Sequence, residues 1–304
     1  MQNGSTGARR PAAVYFASNV DHLGSGGAGG GADTSVNRGG FVEVEYGESG
    51  NVLSTTVRGQ CRDTSPSATV LCDDPGGTDP AARASHLRDH CDCQVEQHYQ
   101  YRWDALNRLD EARRYDRGAV RSNWELQNRQ QYRYDGANQR RVKRVRDGFS
   151  YGAGMNGQDG LERVALWPMP GDFERRGLTT GALSYDASVA LGTETQYLVG
   201  GSRLVWKDSS AGVTPFTRVA RLTAAVPDLL QSTVATVDLL NGDVLERGTY
   251  LPNGVREVLR TNQSLGAFAM EPTGFTGKEG DDEVGLIYFG HRYLMPHLGR
   301  WASA

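Results

Sequence analysis

Apolar and polar positions alternate in short runs along most of the chain beyond residue 40. Val42, Val44 and Tyr46 are interleaved with Glu43 and Glu45, a period of two that predicts a β-strand with one apolar face. The cluster Gly47-Glu48-Ser49-Gly50 follows, and Val52 to Val57, rich in β-branched residues, reads as the returning strand. The same phrase recurs. Tyr99, Tyr101 and Trp103 alternate with polar residues before Asp104-Ala105-Leu106-Asn107, and Tyr132 and Tyr134 precede Asp135-Gly136-Ala137-Asn138. Each copy sets an aromatic ahead of a turn former, two variable residues, and Gly or Asn. The aligned positions are Tyr46/Gly50, Trp103/Asn107 and Tyr134/Asn138.

Turn chemistry explains the spacing. A tight hairpin needs a residue at positive φ, which Gly and Asn tolerate best. An Asp at the first turn position accepts hydrogen bonds from amides ahead of it. Weaker copies are Tyr115-Asp116-Arg117-Gly118, Tyr185-Asp186 and Tyr250-Leu251-Pro252-Asn253-Gly254. Further strands are expected at Thr195–Val199 and Arg203–Lys207, and a hairpin at Thr233–Glu246 around Asn241-Gly242. Helix signals are scarce, with one short candidate at Ala81–Asp89. The expected fold class is all-β, built of consecutive long antiparallel hairpins.

Composition agrees with thin layers of sheet. The 304 residues are 38% hydrophobic and include 39 Gly, too little apolar surface for one thick core. Residues 1–40 read as a flexible linker, since Gly24 to Gly31 holds only Gly, Ala and Ser, although Tyr15 and Phe16 suit a short strand. Net charge is −3, which gives no overall attraction to nucleic acid. The basic run Arg140, Arg141, Lys143, Arg144 and Arg146, broken by Val142 and Val145, reads as a solvated strand face. No stretch approaches the roughly 18–20 apolar residues of a membrane helix, and no secretory signal is visible at the start.

Candidate chemistry is sparse. Cys61, Cys72, Cys91 and Cys93, with His86 and His90 nearby, fall in a Pro/Gly/Asp-rich insertion at 60–94. Their spacing lacks a CxxC pair, so zinc is a weak reading beside disulfides or free thiols. Asp281, Asp282 and Glu283 lack calcium-loop spacing and read as a solvated turn, with Lys278 and Arg292 as candidate partners. His291 and His297 have no Gly-x-Ser-x-Gly elbow near them and read as structural. Gly24-Ser25-Gly26-Gly27 is not followed by a Lys-Ser/Thr pair, which excludes a phosphate loop. No cofactor is expected.

The last thirty-odd residues carry a resemblance. They read Phe275-Thr276-Gly277-Lys278-Glu279, then Gly285-Leu286, Tyr288-Phe289-Gly290, Arg292-Tyr293, and Leu298-Gly299-Arg300-Trp301. This resembles the core motif associated with Rhs repeats, and the Tyr-Asp turns resemble the YD repeats upstream of it. The resemblance divides the chain into a 1–40 linker, a hairpin array at 41–272 and a core motif at 273–304. It implies a curved hairpin sheet forming part of a hollow YD-repeat shell, as in the C components of bacterial insecticidal toxin complexes and in teneurins. It further implies a carrier that encloses a C-terminal toxin cargo, secreted or at the cell surface as part of a larger protein. An adhesion module for glycans or a cell-surface partner is the alternative. The family's motif runs on into an Asp-rich self-cleavage segment, whereas the sequence here ends Ala302-Ser303-Ala304. Arg300 is therefore a possible remnant of that site, and no enzyme activity is expected. Leu294-Met295 also replace the Tyr-Asp usual before the proline, here Pro296.

Overall fold

The computed structural model describes residues 13–16, 40–63, 91–117, 124–147, 162–169, 173–179, 194–199, 202–209, 217–262 and 271–303. Strands run β1 Ala13–Phe16, β2 Gly40–Tyr46, β3 Val52–Asp63, β4 Cys91–Trp103, β5 Leu109–Arg117, β6 Trp124–Tyr134 and β7 Arg140–Asp147. They continue as β8 Glu162–Met169, β9 Phe173–Thr179, β10 Glu194–Val199, β11 Ser202–Ser209, β12 Thr217–Pro227, β13 Thr233–Asp238, β14 Val244–Tyr250 and β15 Arg256–Thr261. A short run closes the chain: β16 Glu279–Asp281, β17 Leu286–Tyr288, β18 Tyr293–Met295 and β19 Arg300–Trp301. The all-β expectation is correct, and the described pairings are antiparallel.

The chain forms two compact units, Met1–Tyr101 with Arg114–Glu125, and Arg102–Arg113 with Leu126–Ala304. In the first, β1 to β4 pair in chain order. The short strand expected around Tyr15 and Phe16 is β1, where Val14 pairs with Val42 and Tyr15 with Phe41. In the second, the strands from Leu109–Arg113 of β5 and Leu126–Tyr134 of β6 through β15 also follow chain order, and β16 to β19 make a separate four-stranded sheet. Where the connecting turn is short, as between β2 and β3, β4 and β5, β6 and β7, and β12 to β15, consecutive pairing follows from it: a hairpin neighbour is the cheapest partner in loop entropy.

Five described turns of the long sheet share one hydrogen-bond pattern, which Gly274–Gly277 repeats ahead of the small sheet. The first residue donates its N–H to the carbonyl four residues on, and the fourth donates back to the first. The pairs are Gly47/Asn51 with Gly50, Asp104/Arg108 with Asn107, Asp135/Gln139 with Asn138, Asp228/Ser232 with Gln231, and Leu251/Val255 with Gly254. The fourth residue is left-handed each time, with φ of 81°, 59°, 61°, 66° and 92°. Four of these hairpins show a register shift just before the turn, at Tyr46, Tyr134, Pro227 and Tyr250. This is a bulge that steers the chain into the turn. Asp104 Oδ1 accepts from Leu106 N and Arg108 N at 2.8 and 2.9 Å. Asp135 Oδ1 does so from Ala137 N and Gln139 N, both at 2.9 Å.

Two sequence expectations need amendment. Tyr115, Asp116 and Arg117 lie inside β5, not in a turn. Asp116 instead holds Arg114, with Nε at 2.7 Å from Oδ1. Conversely, Asp228-Leu229-Leu230-Gln231 is a full copy that the pattern missed, with Asp228 Oδ1 accepting from Leu230 N and Ser232 N at 2.8 Å. It has Pro227 where the others have an aromatic, and Gln231 at the left-handed position. A side chain other than Gly or Asn is strained there. Gln231→Asn is therefore expected to raise stability by about 0.5–1 kcal/mol, read as a higher urea midpoint at unchanged slope.

The Asn241-Gly242 hairpin joins β13 to β14 as expected, but not as a two-residue turn. Asp238 N donates to Asp243 O, Gly242 N donates to Asp238 O, and Leu240 N donates to Asp238 Oδ1 at 2.9 Å. Of Asn241 and Gly242, only the glycine has positive φ, at 80°. The strands expected at 195–199 and 203–207 are β10 and β11. Ala81–Asp89, Tyr185-Asp186, Cys72, His86, His90 and the Gly24–Gly31 run lie outside the described residues. Cys61, Cys91 and Cys93 fall on β3 and β4, with their side chains also outside that description.

Candidate functional site: a buried charge junction

One face of β6 is buried at Asn128, Gln130 and Tyr132, an alternation of period two. Against this face, and against Arg140 and Lys143 of β7, sits the small sheet β16–β19. Asp281, at the end of β16, is fully buried. Arg140 Nη1 reaches Asp281 Oδ2 at 2.6 Å, Arg140 Nη2 reaches Glu279 Oε2 at 2.9 Å, and Lys143 Nζ pairs with Asp281 Oδ1. Lys143 Nζ also lies 3.9 Å from Glu279 Oε1. Two cations thus meet two anions with little water present, an arrangement stable only because each charge has a partner.

Aromatic rings close the cluster. The Arg140 guanidinium lies 4.2 Å from the ring centre of Tyr288, 5.0 Å from Trp167 and 5.4 Å from Tyr132. Arg140 N donates to the Tyr288 hydroxyl at 3.0 Å. The Tyr132 hydroxyl donates to Gln130 Oε1 at 2.8 Å, with Asp281 Oδ2 at 3.3 Å. Tyr134 donates to Leu109 O at 2.8 Å, so its contact with Tyr293 at 2.9 Å takes the proton of Tyr293. Burial lifts the phenols of Tyr132 and Tyr293 well above their ordinary range. Burial alone would lower Arg140, but Asp281 and Glu279 offset it and hold its pKa well above the usual value.

Three readings are corrected here. The basic run is not one solvated face, because Arg140 and Lys143 are buried. Arg141 Nε turns to Asp135 Oδ2 at 2.7 Å, and Arg144 is exposed. The acidic knot is not a solvated turn as a whole: Asp281 is inside, while Asp282 and Glu283 form an exposed 3-10 turn ending at Gly285, φ 69°. Its partners are not Lys278 and Arg292. Those cations lie over Phe289 at 5.9 Å and Trp301 at 4.4 Å, flanking an edge-to-face Phe289–Trp301 pair. Arg256 Nη1 takes Asp282 at 3.3 Å instead.

Of the core-motif residues, Glu279, Tyr288 and Tyr293 reach the junction. Leu286 is buried in the small sheet, as are Val284, Ile287 and Met295. Gly290 and Gly299 supply turns with φ of 93° and 60°. Gly277 does so for Gly274–Gly277, where Gly274 N donates to Lys278 O at 2.8 Å. Arg300 is exposed on β19. His291 is exposed, and burial draws the His297 imidazole down to about 4. No group of His, Cys, Asp and Glu suited to a metal occurs among the described residues. No helix among them is long and apolar enough to cross a membrane.

A second interlock ties the small sheet to β14–β15. The Tyr250 and Phe275 rings lie 6.0 Å apart. Gly254 faces Phe275, and Gly274 faces the Tyr250 hydroxyl. Each turn offers a glycine to the other's aromatic.

No family model and no curated protein matches the sequence. Solved structures do. The chain is similar to a chain of the Photorhabdus luminescens Tc holotoxin pore carrying a TccC3 mutation, at 20% identity and a TM-score of 0.50, over 88% of this chain and 12% of that one. A TcdB2–TccC3 crystal structure aligns over 87% of this chain and 14% of that chain at 16% identity, with a TM-score of 0.44. At the level of fold, this hairpin array is related to a chain of a Tc toxin assembly.

Proposed function

We propose that this chain is a stretch of Rhs-type shell wall, including the core-motif sheet, in a toxin-complex carrier that encloses a C-terminal cargo. The observation that carries this reading is the charge junction. The segment resembling the core motif is anchored onto the hairpin array by Glu279 and by Asp281, which lies 138 and 141 residues from Lys143 and Arg140 in sequence. Such a junction makes β6, β7 and the terminal sheet one mechanical piece, which a container wall requires and a string of independent repeats does not. The fold-level likeness to a Tc holotoxin chain supports the same reading. In it, the chemistry belongs to the cargo, and Arg300 has no catalytic task. Export as part of a larger assembly follows from the proposal.

Protease protection tests it. The full-length protein containing this stretch is treated with a protease that cuts the isolated C-terminal passenger at once. Enclosure predicts that the passenger in the intact protein survives at least tenfold longer, and that it loses this protection when Asp281 is replaced. A passenger cut as fast in the intact protein as alone would overturn the carrier reading. Tight binding to a glycan array in that same case would favour adhesion.

A further inference from the structure

Beyond the charge junction, a second buried carboxylate sits where the chain returns to the hairpins. Glu246 on β14 is 6% exposed. Its Oε2 accepts from Glu271 N at 3.0 Å and from Thr236 Oγ1 at 3.2 Å, while Oε1 has no hydrogen-bond partner. Glu246, Thr236, Tyr250, Arg256, Glu271 and Thr273 all line one cavity of about 20 Å³. That is room for about one water.

The segment Glu271–Gly274 is a strap laid across several strands. Glu271 N is held by Glu246 of β14, Glu271 Oε1 by Arg203 of β11 at 2.9 Å, and Gly274 O by Thr233 N of β13 at 3.0 Å. The strap leads directly into Phe275–Gly277 and the small sheet.

We propose that Glu246 is a proton-sensitive latch, which holds the Glu271–Gly274 strap on the hairpin array when protonated and loosens it when ionised. The charges around it decide the direction. Glu271 brings a second carboxylate against Glu246, and Arg203 is occupied by Glu271, Glu174 and Gln196. Arg256 of β15 is engaged by Asp282 at 3.3 Å and lies over the Tyr250 ring. Arg247 of β14 also borders the cavity but is exposed. An ionised Glu246 therefore forms no close ion pair among the described residues, and Arg256, shared with Asp282, is the cation that acts on it from a distance.

Burial is the main effect and raises the Glu246 pKa, and the Glu271 charge adds to it, against the two hydrogen bonds received and the Arg256 charge. The sign follows. The folded chain keeps the Glu246 proton to a higher pH than the unfolded chain does. Its contribution is complete below the unfolded value and is lost as pH rises through the folded one. The strap is thus tightest in acid and loosens toward neutrality. The inference is independent of the carrier reading, because it concerns the strap and not any cargo.

Residue-resolved hydrogen exchange of the full chain, corrected for intrinsic rates, tests the latch between about pH 4 and about pH 8. Protection of the Glu271 and Thr233 amides is expected to fall several-fold over that range. Glu246→Gln keeps the acceptor oxygen and removes the charge, and its protection should be level with pH. An equal fall in Glu246→Gln, or no fall in the unaltered chain, would overturn the latch. Should that variant not fold, the carboxyl carbon of Glu246 is titrated by NMR in the unaltered protein. Titration above the ordinary Glu range supports the proposal, and titration at or below it overturns it.

Discussion

Asp281→Ala is expected to cost about 3–5 kcal/mol of stability, the penalty for removing one partner of a buried ion cluster. The substitution leaves Arg140 and Lys143 facing only Glu279, with Tyr132, Tyr288 and Trp167 packed around the orphaned charge. Chemical denaturation gives the magnitude, and hydrogen exchange gives the location. Protection should drop first at Leu286–Tyr288 and Tyr293–Met295, the strands behind Asp281. Replacing Arg140, Lys143, Asp281 and Glu279 together by apolar residues of similar volume should recover most of the loss, since a well-packed hydrocarbon replacement removes the desolvation cost with the attraction. A loss below about 1 kcal/mol in the single variant would mean that the cluster is wet in solution, and that the small sheet is held by packing alone.

Gly254→Ala comes next, at about 2–5 kcal/mol. A β-carbon at Gly254 would stand 2.9 Å from Phe275 Cδ1 and 3.2 Å from Ile287 Cδ1, at φ +92°. The left-handed backbone costs an L-residue about 1–2 kcal/mol, and overpacking adds about 1–3 kcal/mol. Gly50→Ala separates the two contributions, since Gly50 holds the same place in its own turn at φ 81°. Its loss estimates the backbone part, and the excess at Gly254 measures the interlock with Phe275. If both variants lose the same amount, Phe275 yields freely, and the two turns are neighbours without being locked together.

These two sites show different degrees of legibility. The turn at Gly254 was readable from Tyr250-Leu251-Pro252-Asn253-Gly254, because turn chemistry is written within five residues. The same holds for Asp104–Asn107 and Asp135–Asn138, where the carboxylate, the two amides it holds and the left-handed Asn are all local. The Asp228–Gln231 turn marks the edge of that code. Its Asp was a usable signal, but Pro227 and Gln231 hid it, and register with β12 and β13 carried the turn regardless.

The charge junction was readable only in halves. Glu279, Tyr288 and Tyr293 stood out through the resemblance of the tail, and Arg140 and Lys143 through their place in a basic run. Nothing near either segment says that one covers the other. The Glu246 latch left no sequence signal, since Val244-Leu245-Glu246 reads as any strand with a polar end.

The amino-acid sequence by itself determined that this chain makes strands, where its tightest hairpins turn with the exception of Asp228–Gln231, and that Gly or Asn bends backward at those turns. Each of these depends on the period-two pattern, on positive φ, and on hydrogen bonds spanning four residues or fewer. Only the tertiary structure decided which charges are buried. Burial depends on the sheet that arrives more than a hundred residues later, and a side chain's charge acquires its meaning from what excludes water around it.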